Sequence, residues 1–185
     1  RQEGQGGDAH RLGRRDLDRP ACSGDCALGQ PLERVHPREH AERAGLEALV
    51  VRPFAMAGAV APAMKAAGQG RILFVTSAAP LRGLPNYGMY ATARGAANAM
   101  TVSLARELAK SNILVNAIAP NYVESPTYFP DALLADPEAL AKITRNIPLG
   151  RLGKPEEVGA TIAFMASDKC GFMTGHVLPI AGGWA

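Results

Sequence analysis

Apolar residues along the chain fall into short continuous runs that alternate with longer patterns of helical spacing. Residues 72–76 (ILFVT) and 113–118 (ILVNAI) are short apolar runs, which are typical of strands buried on both faces of a parallel sheet. Between them, residues 90–110 predict a long helix rich in Ala, Leu and Met. The other predicted elements are a helical stretch over 41–67 interrupted at Pro53 and Pro62, a helix over 132–147 broken at Pro137, a helix over 155–167, and a strand over 176–180. In the first of these stretches, Phe54, Met56 and Met64 are expected to belong to the core.

This alternation of strands and helices predicts an α/β fold, in which helices cover both faces of a parallel sheet. Right-handed crossovers bring the carboxyl ends of the two apolar strands to the same edge of the sheet. Ligands bind at that edge in open α/β sheets. The loops over residues 77–88 and 120–130 leave the strands there, so we expect the chemistry in these two loops.

The first 44 residues have a different composition from the rest of the chain. They contain eight Arg, no Lys and no Phe, Tyr, Trp, Met or Ile. Such a segment buries too little apolar surface to offset the entropy of ordering it. We therefore expect residues 1–44 to be disordered or foreign to the fold that begins at residue 45. The chain begins with Arg1 and not Met, which indicates either a fragment or a doubtful gene start.

Composition excludes several classes of function for the chain as a whole. The net charge is +3 with no long Lys/Arg run, so we expect no nucleic-acid partner. No stretch approaches 18 uncharged apolar residues, so we expect no membrane span. The three cysteines are too few for a disulfide framework and indicate a reducing, cytoplasmic location. Cys22 and Cys26 match no common zinc spacing, and no metal site is predicted.

Three residues at the predicted ligand edge could act together as a catalytic group. Ser77 follows the first strand, Tyr90 comes after twelve intervening residues, and Arg94 lies four residues beyond Tyr90. Residues i and i+4 share a helix face, so the Arg94 guanidinium would stabilise a phenolate on Tyr90. Ser77 could hydrogen-bond the same substrate oxygen. A chance occurrence of Ser, Tyr and Arg at these spacings is the alternative, and their position at the ligand edge argues against it.

The Ser77, Tyr90 and Arg94 spacing resembles the catalytic pattern of the short-chain dehydrogenase/reductase superfamily, with one departure. Dehydrogenases of that superfamily have Lys where this chain has Arg94. With Arg at this position the chain resembles the halohydrin dehalogenases, which are relatives that kept the fold but no longer use the nucleotide cofactor. The likeness covers about residues 45–185 and fails over 1–44. It extends over residues 50–65 (VVRPFAMAGAVAPAMK), 72–80 (ILFVTSAAP), 117–130 (AIAPNYVESPTYFP), 148–159 (PLGRLGKPEEVG) and 178–184 (LPIAGGW).

The resemblance implies a Rossmann-like three-layer fold that lacks a recognisable first β-α-β unit. Residues 45–185 would then be the C-terminal two-thirds of the catalytic domain. It also assigns a halide pocket to the loop after the second strand, with the main-chain N–H groups of Tyr122 and Val123 facing the ion. Turns with clustered N–H groups do bind anions. The residues implied for this halide pocket are Pro120, Asn121, Tyr122 and Val123, and those implied for the substrate pocket are Pro53, Ala79, Leu84, Tyr87, Tyr128 and Phe129.

The resemblance implies conversion of vicinal haloalcohols to epoxides with release of halide and a proton, and the reverse ring opening by small anions. No cofactor is implied. Subunits would associate as dimers or tetramers through helices 45–67 and 90–110. Two alternatives stay open. One is an NAD- or NADP-dependent oxidoreductase of the same fold, although no Gly-rich turn follows a predicted strand. The other is an inactive fragment.

Overall fold

The computed structural model describes residues 39–185. Its sheet has three parallel strands in the order β1-β2-β3, which span Gly70–Val75, Ile113–Pro120 and Val177–Ile180. Val75 is in register with Ile118, and Pro120 with Ile180, so the three strands end at one edge. The predicted parallel α/β sheet is confirmed, as is the prediction that its strands end at a common edge.

The helices and helical turns lie between and around these strands. Most predicted boundaries agree with the structure to within a few residues, and the predicted break at Pro137 separates two short helices. The helices are α1 (Glu39–Leu46), a π-helical turn (Glu47–Val51), α2 (Arg52–Ala67), α3 (Ala79–Arg82), α4 (Gly88–Leu108), α5 (Asp131–Leu134), α6 (Pro137–Thr144) and α7 (Pro155–Ala166), with 3-10 turns at Ala109–Ser111 and Asp168–Cys170.

The core lies around the central strand. Ile113, Val115, Ala117 and Ile118 of β2 are fully buried, because β2 has a strand on each side and helices on both faces. Helix α4 covers one face of β2 and α2 lies beside it on β1, while α7 covers the opposite face. This is the three-layer Rossmann-like arrangement expected from the alternating pattern.

The stretch containing Pro53 and Pro62 departs from the predicted helix breaks. Pro62 lies inside α2 without ending it, and its position is exposed. Pro53 follows the π-helical turn, in which the Arg52 N–H bonds to Glu47 O, five residues back. A π-turn rearranges the carbonyls that a proline ring would otherwise meet. The helix therefore continues through both prolines.

The expectation that Phe54 and Met56 belong to the core is wrong, whereas Met64 does pack against it. Phe54 is 56% exposed and Met56 is 69% exposed, because only a narrow face of α2, including Ala57 and Ala61, meets β1 and α4. Several apolar side chains of α2 are therefore left uncovered by the described part of the chain.

One helical stretch among the described residues, Arg43–Ala67, is long and apolar enough to span a membrane by length and composition, with a mean hydropathy of 1.4. The stretch contains Arg52 and Lys65, so it includes no run of 18 uncharged apolar residues. One such helix is weak evidence for a span. Here α2 contacts β1, and the π-helical turn contacts α4.

The boundary expected at residue 45 falls inside helix α1, which begins at Glu39. Residues 1–38, which include Cys22 and Cys26, lie outside the described residues, so the expectations for them stay predictions. Cys170, on the 3-10 turn after α7, is buried and free.

Candidate active site

The two loops expected to carry chemistry lie side by side at the carboxyl edge of the sheet. The Thr76 N–H donates to Ile118 O at 2.8 Å, and the Ala78 N–H donates to Pro120 O at 3.3 Å. These bonds continue the β1–β2 pairing past the end of β1. The segment that carries Ser77 is therefore fixed against the loop that begins at Pro120.

Tyr90 and Arg94 lie one turn apart at the start of α4, as their spacing predicts. The Arg94 Cζ atom is 5.3 Å from the centre of the Tyr90 ring. Arg94 Nη1 donates to Val75 O at 3.2 Å, which ties the helix to the end of β1. Arg94 Nε is buried and has no hydrogen-bond partner among the described residues. The guanidinium thus has a fixed position and a buried Nε–H donor without a partner among the described residues.

Ser77 is buried directly after β1, and its hydroxyl oxygen accepts the Ala79 N–H at 3.1 Å. This bond fixes the oxygen at the start of α3. Ala79, predicted to line the substrate pocket, is only 2% exposed. Its observed contribution is the backbone N–H that bonds to Ser77.

Asn98 is a site residue that the sequence reasoning missed. Its side chain is buried, and its Nδ2 donates to the main-chain carbonyl of Ser77 at 3.4 Å. Tyr90, Arg94 and Asn98 follow one another at intervals of four residues, so they share one face of α4. The i, i+4 spacing that pairs Tyr90 with Arg94 in the sequence continues one turn further to Asn98. The buried Asn98 Oδ1 has no partner among the described residues.

The residues predicted to line the substrate pocket do not all come together. The Tyr87 ring meets the Tyr90 ring edge-on at 6.4 Å, and Leu84 packs against the cluster around Ala78 and Trp184. Tyr128 is 52% exposed on the loop after β2, and Phe129 next to it is half-buried. Pro53 lies on a different element, in the first turn of α2. Tyr87 therefore adjoins the candidate base, and the pocket roles of the others stay predictions.

The loop after β2 is held by backbone bonds on both sides. The Asn121 N–H donates to Ile180 O at 3.1 Å, and the Gly153 N–H donates to Tyr122 O at 2.9 Å. Val123 forms an isolated parallel bridge with Gly153. Pro120 is the last residue of β2. The four residues predicted to bind an anion therefore form one braced turn.

The Tyr122 N–H, predicted to face the anion, is already paired. It donates to Asn121 Oδ1 at 3.0 Å, so it meets an anion only after the Asn121 carboxamide turns away. Tyr122 has φ 53°, in the left-handed region that costs a residue with a side chain about 1–3 kcal/mol. Burial raises the pKa of the Tyr122 hydroxyl, and the charge of Arg82 partly opposes that rise.

A small cavity of about 160 Å³ lies behind this turn. It is separate from Ser77, Tyr90 and Arg94, none of which lines it. Asn121 and Tyr122 form one wall, and Arg151 and Glu157 lie at another. Among the described residues, no cluster of three or more His, Cys, Asp or Glu side chains could hold a metal ion.

Comparison with solved structures places the fold among known enzymes. A structure described as a dehalogenation enzyme is 56% identical with a TM-score of 0.80, covering 86% of this chain and 64% of that one. A halohydrin dehalogenase bound to ethyl (2S)-oxiran-2-ylacetate is 40% identical with a TM-score of 0.77, covering 84% and 63%.

Comparison with curated sequences gives names of a different kind. A tropinone reductase homologue of Arabidopsis thaliana is 37% identical over 66% of this chain and 46% of its own length. A 3-oxoacyl-(acyl carrier protein) reductase of Thermotoga maritima is 41% identical over 67% and 49%. The chain thus spans about half the length of these relatives. A family model described as enoyl-(acyl carrier protein) reductase matches residues 37–185. Because this match covers all of the described residues, the chain belongs to that family and, with it, to the short-chain dehydrogenase/reductase superfamily.

Proposed function

We propose that this chain carries the catalytic part of a halohydrin dehalogenase, which converts vicinal haloalcohols to epoxides and also opens epoxides with small anions. The observation that carries the proposal is the Arg94 guanidinium, which stacks 5.3 Å from the Tyr90 ring and bonds to Val75 O. Two solved dehalogenases at 56% and 40% identity support the same reaction class.

The mechanism begins with proton removal. Tyr90, as phenolate, takes the proton of the substrate hydroxyl while the Ser77 hydroxyl holds the same oxygen. Arg94 stabilises the negative charge on Tyr90 and cannot itself move a proton, because a guanidinium stays protonated. The buried position of Ser77 limits water at the reacting oxygen.

Ring closure follows within the substrate. The alkoxide oxygen forms a bond to the neighbouring carbon, the carbon–halogen bond breaks, and its electron pair leaves with the halide. The proton taken by Tyr90 passes to solvent, so the products are an epoxide, a halide ion and a proton. A nucleophile held inside the same molecule gains greatly from proximity. The turn formed by Pro120, Asn121, Tyr122 and Val123 receives the halide once Asn121 releases the Tyr122 N–H.

The decisive variant is Tyr90→Phe, which removes only the hydroxyl. We expect halide release to fall about 100-fold or more, as general acid–base catalysis contributes at least that factor. Thr92→Val is the matched control, because it removes a hydroxyl from an exposed position on the same turn of α4. Retention of most activity in Tyr90→Phe would overturn the proposal.

An NAD(P)-dependent oxidoreductase is the second candidate, and the reductase names of the curated relatives favour it. The described residues fit a nicotinamide poorly. The Lys of superfamily dehydrogenases is replaced by Arg94, whose Nη1 bonds to Val75 O. Asn121 follows Pro120 where those enzymes usually have Gly, and the half-buried Tyr122 comes next, where its ring would crowd a nicotinamide. Titration with NADH and NADPH separates the candidates, since saturable energy transfer from protein to cofactor would favour the oxidoreductase.

We also propose that subunits associate through α2 and α4. Phe54, Met56 and Val60 leave apolar surface exposed on α2, and Ala96 and Ala99 leave small exposed positions on α4. Small side chains let helices approach closely, and the apolar α2 side chains supply area to bury.

A further inference from the structure

Arg82 joins the loop that carries Ser77 to the C-terminal turn of the chain. Its Nη1 donates to Trp184 O at 2.8 Å, and its Cζ lies 5.1 Å from the centre of the Trp184 ring. The guanidinium thus uses one donor for the backbone and its flat face for the indole. A lysine could supply the charge but not both contacts at once.

Trp184 in turn contacts the proposed anion turn. Its ring meets the Tyr122 ring edge-on, with centroids 5.7 Å apart and planes at 72°. Trp184 is buried in a cluster with Ala78, Ala119 and Ala181. The chain reaches this position through Gly182 and Gly183, whose φ values of 60° and 84° suit glycine. A Cβ on Gly182 would lie 2.6 Å from Ile147. The Trp184 ring is therefore held between Arg82 and Tyr122.

Among the described residues, no carboxylate forms an ion pair with Arg82. The ion pairs among the described residues involve Arg52, Arg71 and Arg151, and Arg82 takes part in none of them. Its field nevertheless reaches the Tyr122 hydroxyl, where it opposes the effect of burial. A positive charge beside a turn of main-chain N–H groups increases the attraction of that turn for an anion.

We propose that Arg82 determines anion affinity at the turn formed by Pro120, Asn121, Tyr122 and Val123: it supplies positive charge there and holds Tyr122 through Trp184. This inference rests on the proposed function, because the anion is the leaving or attacking group of that reaction. Arg82 is a positioning and electrostatic residue, so its loss weakens anion binding more than it slows proton removal at Tyr90.

The test compares Arg82→Gln and Arg82→Lys with the unaltered chain. Arg106→Gln is the matched control, because Arg106 is exposed near the far end of α4 and loses the same charge. Trp184 is the one tryptophan of the chain, so its fluorescence reports bromide binding directly. Since Arg82 itself touches the indole, the bromide inhibition constant for haloalcohol turnover gives a second, independent value.

We expect Arg82→Gln to raise the bromide dissociation and inhibition constants at least fivefold, a larger factor than the fall in the turnover number at saturating haloalcohol. Arg82→Lys should fall between Arg82→Gln and the unaltered chain, and Arg106→Gln should match the unaltered chain. Equal bromide constants for Arg82→Gln and the unaltered chain would overturn the role of Arg82 alone. If the unaltered chain neither binds bromide nor releases halide, the proposed function fails and this inference fails with it.

Discussion

At the scale of single residues, the site depends on one polar face of α4. Tyr90, Arg94 and Asn98 share one face of α4, and Arg94 and Asn98 each donate to a main-chain carbonyl of the segment that contains Val75 and Ser77. These bonds fix the end of β1 against the helix. The distance between the phenol of Tyr90 and the serine is therefore set by α4 through its contacts with the backbone.

Asn98→Ala tests whether this backbone contact positions Ser77. We expect the turnover number to fall about three- to tenfold with little change in KM, because the loop loses a donor without losing a substrate contact. The free energy of unfolding should change by only about 1 kcal/mol, since the variant also removes the unpartnered Oδ1. Halide release and urea denaturation measure the two effects.

Asn146→Ala is the control for Asn98→Ala, as Asn146 makes the same kind of bond to the Lys142 carbonyl at an exposed site. If Asn98→Ala keeps full turnover, or if KM changes as much as the turnover number does, Asn98 does not position the serine.

At the scale of elements, the segment before α7 braces the anion turn. Gly153 pairs with Tyr122 and Val123, and Arg151 forms two bonds with the Glu157 carboxylate at 2.8 and 2.6 Å. Glu157 also accepts the Lys154 N–H at 2.8 Å, which caps the first turn of α7. The Glu157 carboxylate thus connects the brace, residues 151–154, to helix α7.

Glu157→Gln should weaken this brace in a pH-dependent way. The hydrogen bond from Arg151 lowers the pKa of Glu157 most, and the bond from the Lys154 N–H lowers it further. Together they bring this pKa from 4.5 to about 2. Because the folded pKa lies below the unfolded one, the stabilisation is present above pH 4.5 and is lost as the pH falls through about 2. We expect Glu157→Gln to lower the melting temperature at pH 7 and to flatten its decline between pH 4.5 and pH 2.

Glu156→Gln is the matched control for Glu157→Gln, because it removes the neighbouring, exposed carboxylate of the same helix turn. Thermal melts from pH 2 to pH 7 give the comparison. Identical pH profiles for the two variants would show that the Arg151–Glu157 pair contributes nothing to the brace.

At the scale of the whole molecule, several apolar side chains of α2 are exposed on the described chain. Ala93 and Ala97 of α4 are used in the chain's own core, whereas Ala96 and Ala99 are exposed. Met56 and Val60, four residues apart on α2, are 69% and 42% exposed. A second subunit would give these side chains a partner.

Met56→Glu should therefore shift the assembly toward the monomer. We expect the unaltered chain to scatter light as a multiple of its 19.4 kDa mass and Met56→Glu to scatter with a lower average mass. A charge at an interface core costs more than the same charge in water. Ala141→Glu, at an exposed position of α6, is the control. A monomeric unaltered chain would contradict the proposed association.

The sequence by itself determined the order of strands and helices, the parallel sheet and the edge where Ser77, Tyr90 and Pro120 lie. Local periodicity carries this information, because a strand buried on both faces and a helix with an i, i+4 polar pair each have a readable pattern. The tertiary structure alone decided which apolar residues are covered, as the exposed Phe54 and Met56 demonstrate. It also decided the contacts of Asn98 with Ser77, of Arg82 with Trp184 and of Asn121 with the Tyr122 N–H. These contacts depend on segments packing together in three dimensions and on the left-handed backbone at Tyr122, which no pattern of hydrophobic spacing records.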